Sequence, residues 1–436
     1  MAWGVVGLPW LGAAEATTLA KNAERLAVSL PEGCIVIGET VAGGRTVYSL
    51  IGKVEDRDVA PEKRIFEIGS LSKVFTGVLL AQAVAEKRVT LDSTLAEVLK
   101  GEVEFNDAKV AGITLRQLAA HTSGLPRIPN NMKADESPDD PYVAYGWTEL
   151  CKYLSEARLE RPPPCDYAYS NLGVGLLGDV LARLYGKSWE ELVKERITGP
   201  LGMKDTAVNL SDEQKSRVMV PYAGARKTKP WTFKTLAGAG ALRSTAADLM
   251  IFLEAIAHPE KTTMGEALEL IKVPQFSGRT GLCLQRLELK NEIGYWHTGG
   301  TGGFKSWMST KPKSGRHVVI LINNRALSAD DVVTGKLPVA AEPPDASLVK
   351  YLGVFDTGIV AEGTAIHYTM EARGKVMWMQ ITGQDAIPLT VHPTGADRFE
   401  FKPVNAEIQF KLRDGEAETV TLFQAGQEIV AKRVKK

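Results

Sequence analysis

Ser70 and Lys73 stand three residues apart in the stretch FEIGSLSKVFTG. On a helix, positions i and i+3 share a face, so the lysine amine can reach the serine hydroxyl. That hydroxyl is a poor nucleophile until a base takes its proton, and a buried lysine can lose its own proton and become such a base. Gly69 permits a tight turn into the helix. Ser70 would then lie near the helix N-terminus, where the dipole favours negative charge. Spacing alone does not establish the pair, because about one chance S-x-x-K is expected in a chain this long. Ser347 and Lys350 form a second. They open a β-rich region with no long helix behind them and read as the chance match.

Two further groups could complete the chemistry. In Tyr169-Ser170-Asn171, a phenol beside a lysine could relay a proton to a leaving group. The Asn171 amide could hold a substrate carbonyl and orient the lysine. Taken alone, Tyr169 reads as a half-buried tyrosine with its hydroxyl bonded. In WHTGGTGGFKSW, His297 and Thr298 are followed by Gly299 and Gly300, and glycines let a strand backbone come close to a bound substrate. Taken alone, His297 reads as a structural histidine. Gly173, Gly175 and Gly178 have G-x-G-x-x-G spacing, but a dinucleotide site needs a strand just before them. A proline-rich loop precedes them instead, so close helix packing is their reading. No G-x-S-x-G is present, which argues against an α/β-hydrolase elbow.

The elements that must carry these residues can be read from period and punctuation. Cys34 to Val54 predicts an antiparallel hairpin around Gly43-Gly44. The run after Lys73 has helical spacing. ITLRQLAAHTSGLP predicts a short helix ended by Gly124 and Pro126, and RPPPCDYAYSNLGVGLL a rigid loop entering an apolar helix. Thr245-x-x-Asp248 reads as a capping box. GGFKSWMSTKPKSGRHVVILINN predicts two strands about a Lys-Ser-Gly turn. Helices mixed with hairpins indicate an α+β fold. Around residues 335–346 the composition becomes linker-like, and beyond it GKVMWMQI, RFEFKPV, AEIQFKL, ETVTLFQ and QEIVAKRV alternate at period two. They predict a small antiparallel barrel or sandwich.

Bulk properties narrow the function classes. Lys+Arg and Asp+Glu are 52 each in 436 residues, so no basic field points to nucleic acid. Cys34, Cys151, Cys165 and Cys283 have neither C-x-x-C nor zinc spacing. The opening MAWGVVGLPWLGAAEA carries no charge before Glu15 and closes on an A-x-A pattern. It resembles the apolar part and cleavage site of a secretory signal, without the usual basic start. That predicts a periplasmic or secreted protein, with a cytoplasmic one as the alternative. No other stretch has the ~20 apolar residues of a membrane span.

The three motifs, in this order, resemble those of the serine penicillin-recognising family: class C β-lactamases, D,D-peptidases, D-aminopeptidases and family VIII esterases. ITLRQLAAHTSGLP, ITGPLGMKDT and GAGALRSTAADL are also similar to that family. The resemblance spans Ile35 to Asn324. It implies an antiparallel sheet flanked by helices with a helical subdomain (residues 17–334), then a linker (335–346) and a lipocalin-like barrel (347–436). It implies that Ser70 is acylated, that Lys73 and Tyr169 share acid/base work, and that Asn171 positions substrate and lysine. The backbone N–H groups of Ser70 and Gly300 would form an oxyanion hole, and His297 and Thr298 would contact the substrate. No cofactor and no metal is implied. The substrate would be a small molecule or peptide: a β-lactam or a D-amino-acid peptide, with a family VIII-type ester as the alternative. The alternative of another class is a non-turnover penicillin-binding or sensor protein: loss of Ser70, Lys73 or Tyr169 would favour it, and acylation with slow deacylation fits it with all three present. Class C β-lactamases carry lysine where His297 stands. A histidine, only partly charged near neutrality, should grip a carboxylate less strongly. The barrel, with no catalytic cluster, reads as a packing or access module.

Overall fold

The computed structural model describes residues 17–54, 58–133, 137, 139–276, 278–335, 345–361, 364–373, 376–381, 387–391, 397–401, 406–424 and 427–434. The apolar opening segment and most of the expected linker lie outside them. The chain divides into two compact units, Met1–Lys336 and Leu337–Lys436.

The first unit is built on a six-stranded antiparallel sheet. Its strands are β1 (Cys34–Thr40), β2 (Thr46–Gly52), β3 (Gln285–Glu288), β4 (Ile293–Gly300), β5 (Lys305–Lys311) and β6 (Arg316–Ile322), in the order β2-β1-β6-β5-β4-β3. The two hairpins read from the sequence are both there: Thr40 pairs with Thr46, and Lys311 with Arg316. Strand β6 is central, and its apolar run is buried on both sides. Val318, Ile320 and Ile322 pack with Leu19, Ala23 and Leu26 of helix α1 (Thr18–Ala27). Val319 and Leu321 join the main core with helix α2 (Ser72–Ala85) and a later helix, Ala246–Ala257. A strand covered on both faces needs no polar alternation, and RHVVILI shows none.

Helix α2 is buried all round from Ser72 to Ala81, as its unbroken apolar composition requires. Its few polar groups find partners. Ser72 Oγ accepts from the Leu242 N–H (3.0 Å), and Thr76 Oγ1 donates to the Gly238 carbonyl (2.9 Å). Helix α3 (Asn171–Tyr185) is capped by Ser170, whose Oγ accepts from Gly173 N–H (2.8 Å). Two glycines of the apparent dinucleotide motif, Gly175 and Gly178, face a turn at Leu236–Gly240, and Gly173 lies against Ser170 and Ser123. A Cβ on Gly175 would stand 2.6 Å from Leu236 Cβ, and one on Gly178 3.0 Å from Gly238 Cα.

Two local expectations are corrected. The short helix spans Leu115–Ala119 and stops because His121 takes a left-handed conformation (φ +59°), well before Gly124. Thr245 Oγ1 does accept from Asp248 N–H (3.2 Å). The Asp248 carboxylate, however, turns away to accept from Asp205 N–H and Thr206 Oγ1 (both 2.8 Å), so the cap is half a box.

The second unit is a closed barrel of eight antiparallel strands joined in sequence, from Gly353–Ala361 to Gln427–Arg433. Pairing of Phe355 with Arg433 and Asp356 with Lys432 closes it. Eight strands leave room for side chains and little more. Here Phe355, Tyr368, Met370, Met377, Met379, Phe399 and Phe410 are buried together. In this unit Ser347 Oγ donates to Asp345 (2.7 Å), and Lys350 Nζ binds Asp397 (3.1 Å). The second S-x-x-K is therefore two separate surface contacts.

Candidate active site

Glycine 69 makes the turn that presents Ser70. It follows the two-residue strand Phe66–Glu67 with φ +50° and opens a 3-10 turn, Gly69–Leu71, that runs into α2. A Cβ at Gly69 would lie 2.7 Å from both Gly300 N and Gly300 O, and one at Gly299 only 2.1 Å from Ile68 O. The end of β4 thus rests directly on the backbone just before Ser70. Ser306 Oγ, one strand over, fixes the same Ile68 carbonyl (2.8 Å). Gly299→Ala is expected to cost about 1–3 kcal/mol through overpacking, and to lower any Ser70-dependent turnover as the turn is pushed off the strand. Chemical denaturation and an ester assay on that variant check both.

Lys73 is fully buried. Its Nζ has three neighbours: Asn171 Oδ1 (2.8 Å), the Ala239 carbonyl (2.6 Å) and Ser70 Oγ (3.0 Å). Two of these oxygens can only accept. A neutral amine has two N–H bonds and one lone pair; with both N–H bonds on Asn171 and Ala239, the lone pair faces the Ser70 hydroxyl. Burial, reinforced by the Arg127 charge and opposed by Cys283, lowers the Lys73 pKa to about 7. The neutral form is therefore accessible near neutral pH.

Tyr169 lies beside this pair, with Lys73 Nζ 5.0 Å from its ring centroid. Burial pushes its phenol well above the usual value, and a hydrogen bond to Ser70 opposes that shift. It is a protonated donor at every working pH. Asn171, first residue of α3, donates through Nδ2 to the Tyr142 hydroxyl (3.0 Å), which fixes its Oδ1 toward Lys73.

His297 is buried on β4, opposite Met308. Its Nδ1 lies 2.6 Å from the Thr298 carbonyl, so Nδ1 carries the proton and Nε2 is bare. Burial, then the Lys73 charge, lowers its pKa to about 4. This corrects the partly charged histidine expected from its ordinary pKa: the side chain is neutral at pH 7. Thr298 points to the other face of the strand, opposite Trp307. Among the described residues its hydroxyl makes no hydrogen bond to the rest of the group.

Several participants carried no readable signal. Ala239 contributes a backbone carbonyl, which no residue type announces. Tyr142 arrives from a distant loop and stacks on Phe233 (4.6 Å between centroids). His121 packs on Tyr169 (4.5 Å) and accepts at Nδ1 from the Ser170 N–H (3.1 Å), which leaves its proton on Nε2. The phrase HTSG contained the clue, a histidine before a turn, without indicating its partner.

A buried lysine aimed at a serine, on a turn backed by a glycine-rich strand, defines a serine acyl-transfer type of site. The Beta-lactamase family pattern matches residues 40–338, and the chain belongs to that family. It is similar to the D-alanyl-D-alanine-carboxypeptidase/endopeptidase AmpH of Escherichia coli (strain K12), with 30% identity over 285 residues, 64% of this chain and 70% of that one. Penicillin-binding protein 4 of Amycolatopsis lactamdurans is 26% identical over 286 residues, 59% of this chain and 72% of that protein. In fold it matches the solved Beta-Lactamase/D-Alanine Carboxypeptidase from Pseudomonas syringae, with TM-score 0.63 and 20% identity over 73% of this chain and 96% of the other. Among the described residues, no helix is long and apolar enough to cross a membrane.

Proposed function

We propose that the protein is a serine hydrolase that forms an acyl-enzyme at Ser70, with D-alanyl peptides as substrates and β-lactams as mimics of them. The observation that carries this reading is the Lys73 amine, buried and held by Asn171 Oδ1 and Ala239 O with its remaining direction on Ser70 Oγ. In the proposed reaction Lys73 takes the Ser70 proton as Oγ attacks the carbonyl carbon. Negative charge on the carbonyl oxygen is met by the Ser70 and Gly300 N–H groups. The Tyr169 hydroxyl delivers a proton to the departing nitrogen and is reprotonated through Ser70's former proton on Lys73. Water then attacks the ester carbonyl while the neutral Lys73 amine takes its proton; the acyl C–Oγ bond breaks, Lys73 passes that proton to Ser70 Oγ, and the carboxylic acid product leaves. Asn171 binds the acyl part of the substrate, and the backbone of β4 from His297 to Gly300 lies along the scissile bond.

The histidine at position 297, where class C β-lactamases carry lysine, resembles the D,D-peptidase form and favours that reading over a dedicated β-lactamase in this scheme; its neutral imidazole offers the carboxylate of either substrate no charge. We place the protein outside the cytoplasm, where such peptides occur, with removal of the apolar opening segment on export. The barrel serves as a packing or access module and takes no part in the chemistry. The test is release of D-alanine from a peptide ending in D-Ala-D-Ala, beside hydrolysis of benzylpenicillin. Faster turnover of the peptide is expected. Rapid penicillin hydrolysis with no D-alanine release would assign the enzyme to the β-lactamase branch.

A further inference from the structure

Arg127 has no role in the scheme above, yet its charge acts on Lys73 and Tyr169. It lies on the loop after His121, and its carbonyl accepts from the N–H groups of Asn171 (2.9 Å) and Leu172 (3.1 Å). This backbone tie fixes the loop to the start of α3. The side chain is exposed, and its guanidinium carbon stands 5.5 Å from the Tyr169 ring centroid. Stacking on an aromatic face holds a guanidinium flat and leaves its N–H edges free, the geometry that binds a carboxylate with two parallel hydrogen bonds.

Among the described residues, no carboxylate pairs with Arg127 and its side chain donates no hydrogen bond. Three acids of this unit are engaged elsewhere. Asp139 binds Arg226 (2.8 and 3.0 Å), Asp140 takes the Thr232 N–H and hydroxyl (2.8 and 2.6 Å), and Glu67 pairs with Arg243 (3.2 Å). The arginine charge reaches the site, since it lowers the pKa values of Lys73, Tyr169 and Tyr142. His121 and His297, the buried histidines of the site, are neutral and cannot serve as the cation, and Lys305 lies by Gly300. In the proposed scheme Asn171 binds the acyl part, so an exposed cation whose backbone is tied to Asn171 stands on that side.

We propose that Arg127 selects substrates whose acyl portion bears a carboxylate, gripping it between the Tyr169 ring and the start of α3. The inference rests on the proposed acyl-serine reaction and names its preferred acyl donors: acidic peptides rather than neutral ones. A lysine there would retain the charge but lose the two-point contact.

The experiment compares two esters with the same leaving group, mono-4-nitrophenyl glutarate and 4-nitrophenyl valerate, in the wild type, Arg127→Gln and Arg127→Lys. The ratio of kcat/KM values, glutarate to valerate, is expected to fall at least about tenfold in Arg127→Gln. The loss should sit in KM, and Arg127→Lys should recover part of it. Added salt should reduce the wild-type ratio and leave that of Arg127→Gln flat. An unchanged ratio in Arg127→Gln overturns the assignment of Arg127 while leaving Ser70 chemistry intact. Failure of both esters to acylate the wild type overturns the Ser70 reading and this inference together.

Discussion

Lys73→Met is expected to lower kcat/KM by at least about a thousandfold and, separately, to change how stability depends on pH. The kinetic loss follows from removing the one group positioned to take the Ser70 proton; general-base assistance is typically worth about 10²–10⁴-fold. In the wild type, kcat/KM should rise with pH through about 7 and then level, because the neutral amine is the active form and the Lys73 pKa is about 7. His297, at about 4, adds no step near 6.5. The stability effect has a definite sign. In the unfolded chain the lysine binds its proton with the ordinary pKa of 10.5, and in the fold at about 7. Between those values the unfolded state holds more protons, so stability rises with pH across that window and is at its lowest below 7. One proton corresponds to about 1.4 kcal/mol per pH unit. Lys73→Met should remove that rise, as read from denaturant midpoints between pH 7 and 10. A variant whose slope matched the wild type would show that Lys73 is not depressed by burial.

Ser70→Ala is the second large effect. Turnover of 4-nitrophenyl esters and of D-alanyl peptides should fall by at least about 10³-fold. The fold should survive, since Ser70 is only half-buried and helix α2 takes its stability from the apolar residues Val74 to Ala83. The partner atoms are not stranded either, because Lys73 keeps Asn171 Oδ1 and the Ala239 carbonyl. Wild-type rates in Ser70→Ala, or a cooperative transition lost along with activity, would contradict that division between chemistry and folding.

Much of the frame was legible because it obeys simple periods. The hairpins β1–β2 and β5–β6 are β-rich runs that turn at Gly43-Gly44 and Gly315, and α2 is largely apolar. The barrel was visible in segments such as AEIQFKL, where Ala406, Ile408 and Phe410 point inward. Ile387–Val391 was not, because a proline interrupts its pattern. The grouping of Ser70, Lys73 and Asn171 rests on the resemblance of three motifs in order to one family, not on spacing alone, and the structure brings these three within hydrogen-bond reach. The protonation states were not readable. His297 looks like any histidine until burial and the lysine charge are known. The Ala239 carbonyl depends on a turn in which Leu236 takes φ +60° and the Leu236 N–H binds Asp179 (3.0 Å). Contacts made by backbone atoms, or by side chains from distant loops, leave no local pattern to read.

The most direct test of an acyl-enzyme at Ser70 is time-resolved mass spectrometry of the intact protein with benzylpenicillin, followed by peptide mapping, beside Ser70→Ala and Ser347→Ala. A single added penicilloyl mass, carried by the peptide containing Ser70, lost in Ser70→Ala and kept in Ser347→Ala, is the predicted result. An adduct that persists in Ser70→Ala or maps to any other residue would contradict it.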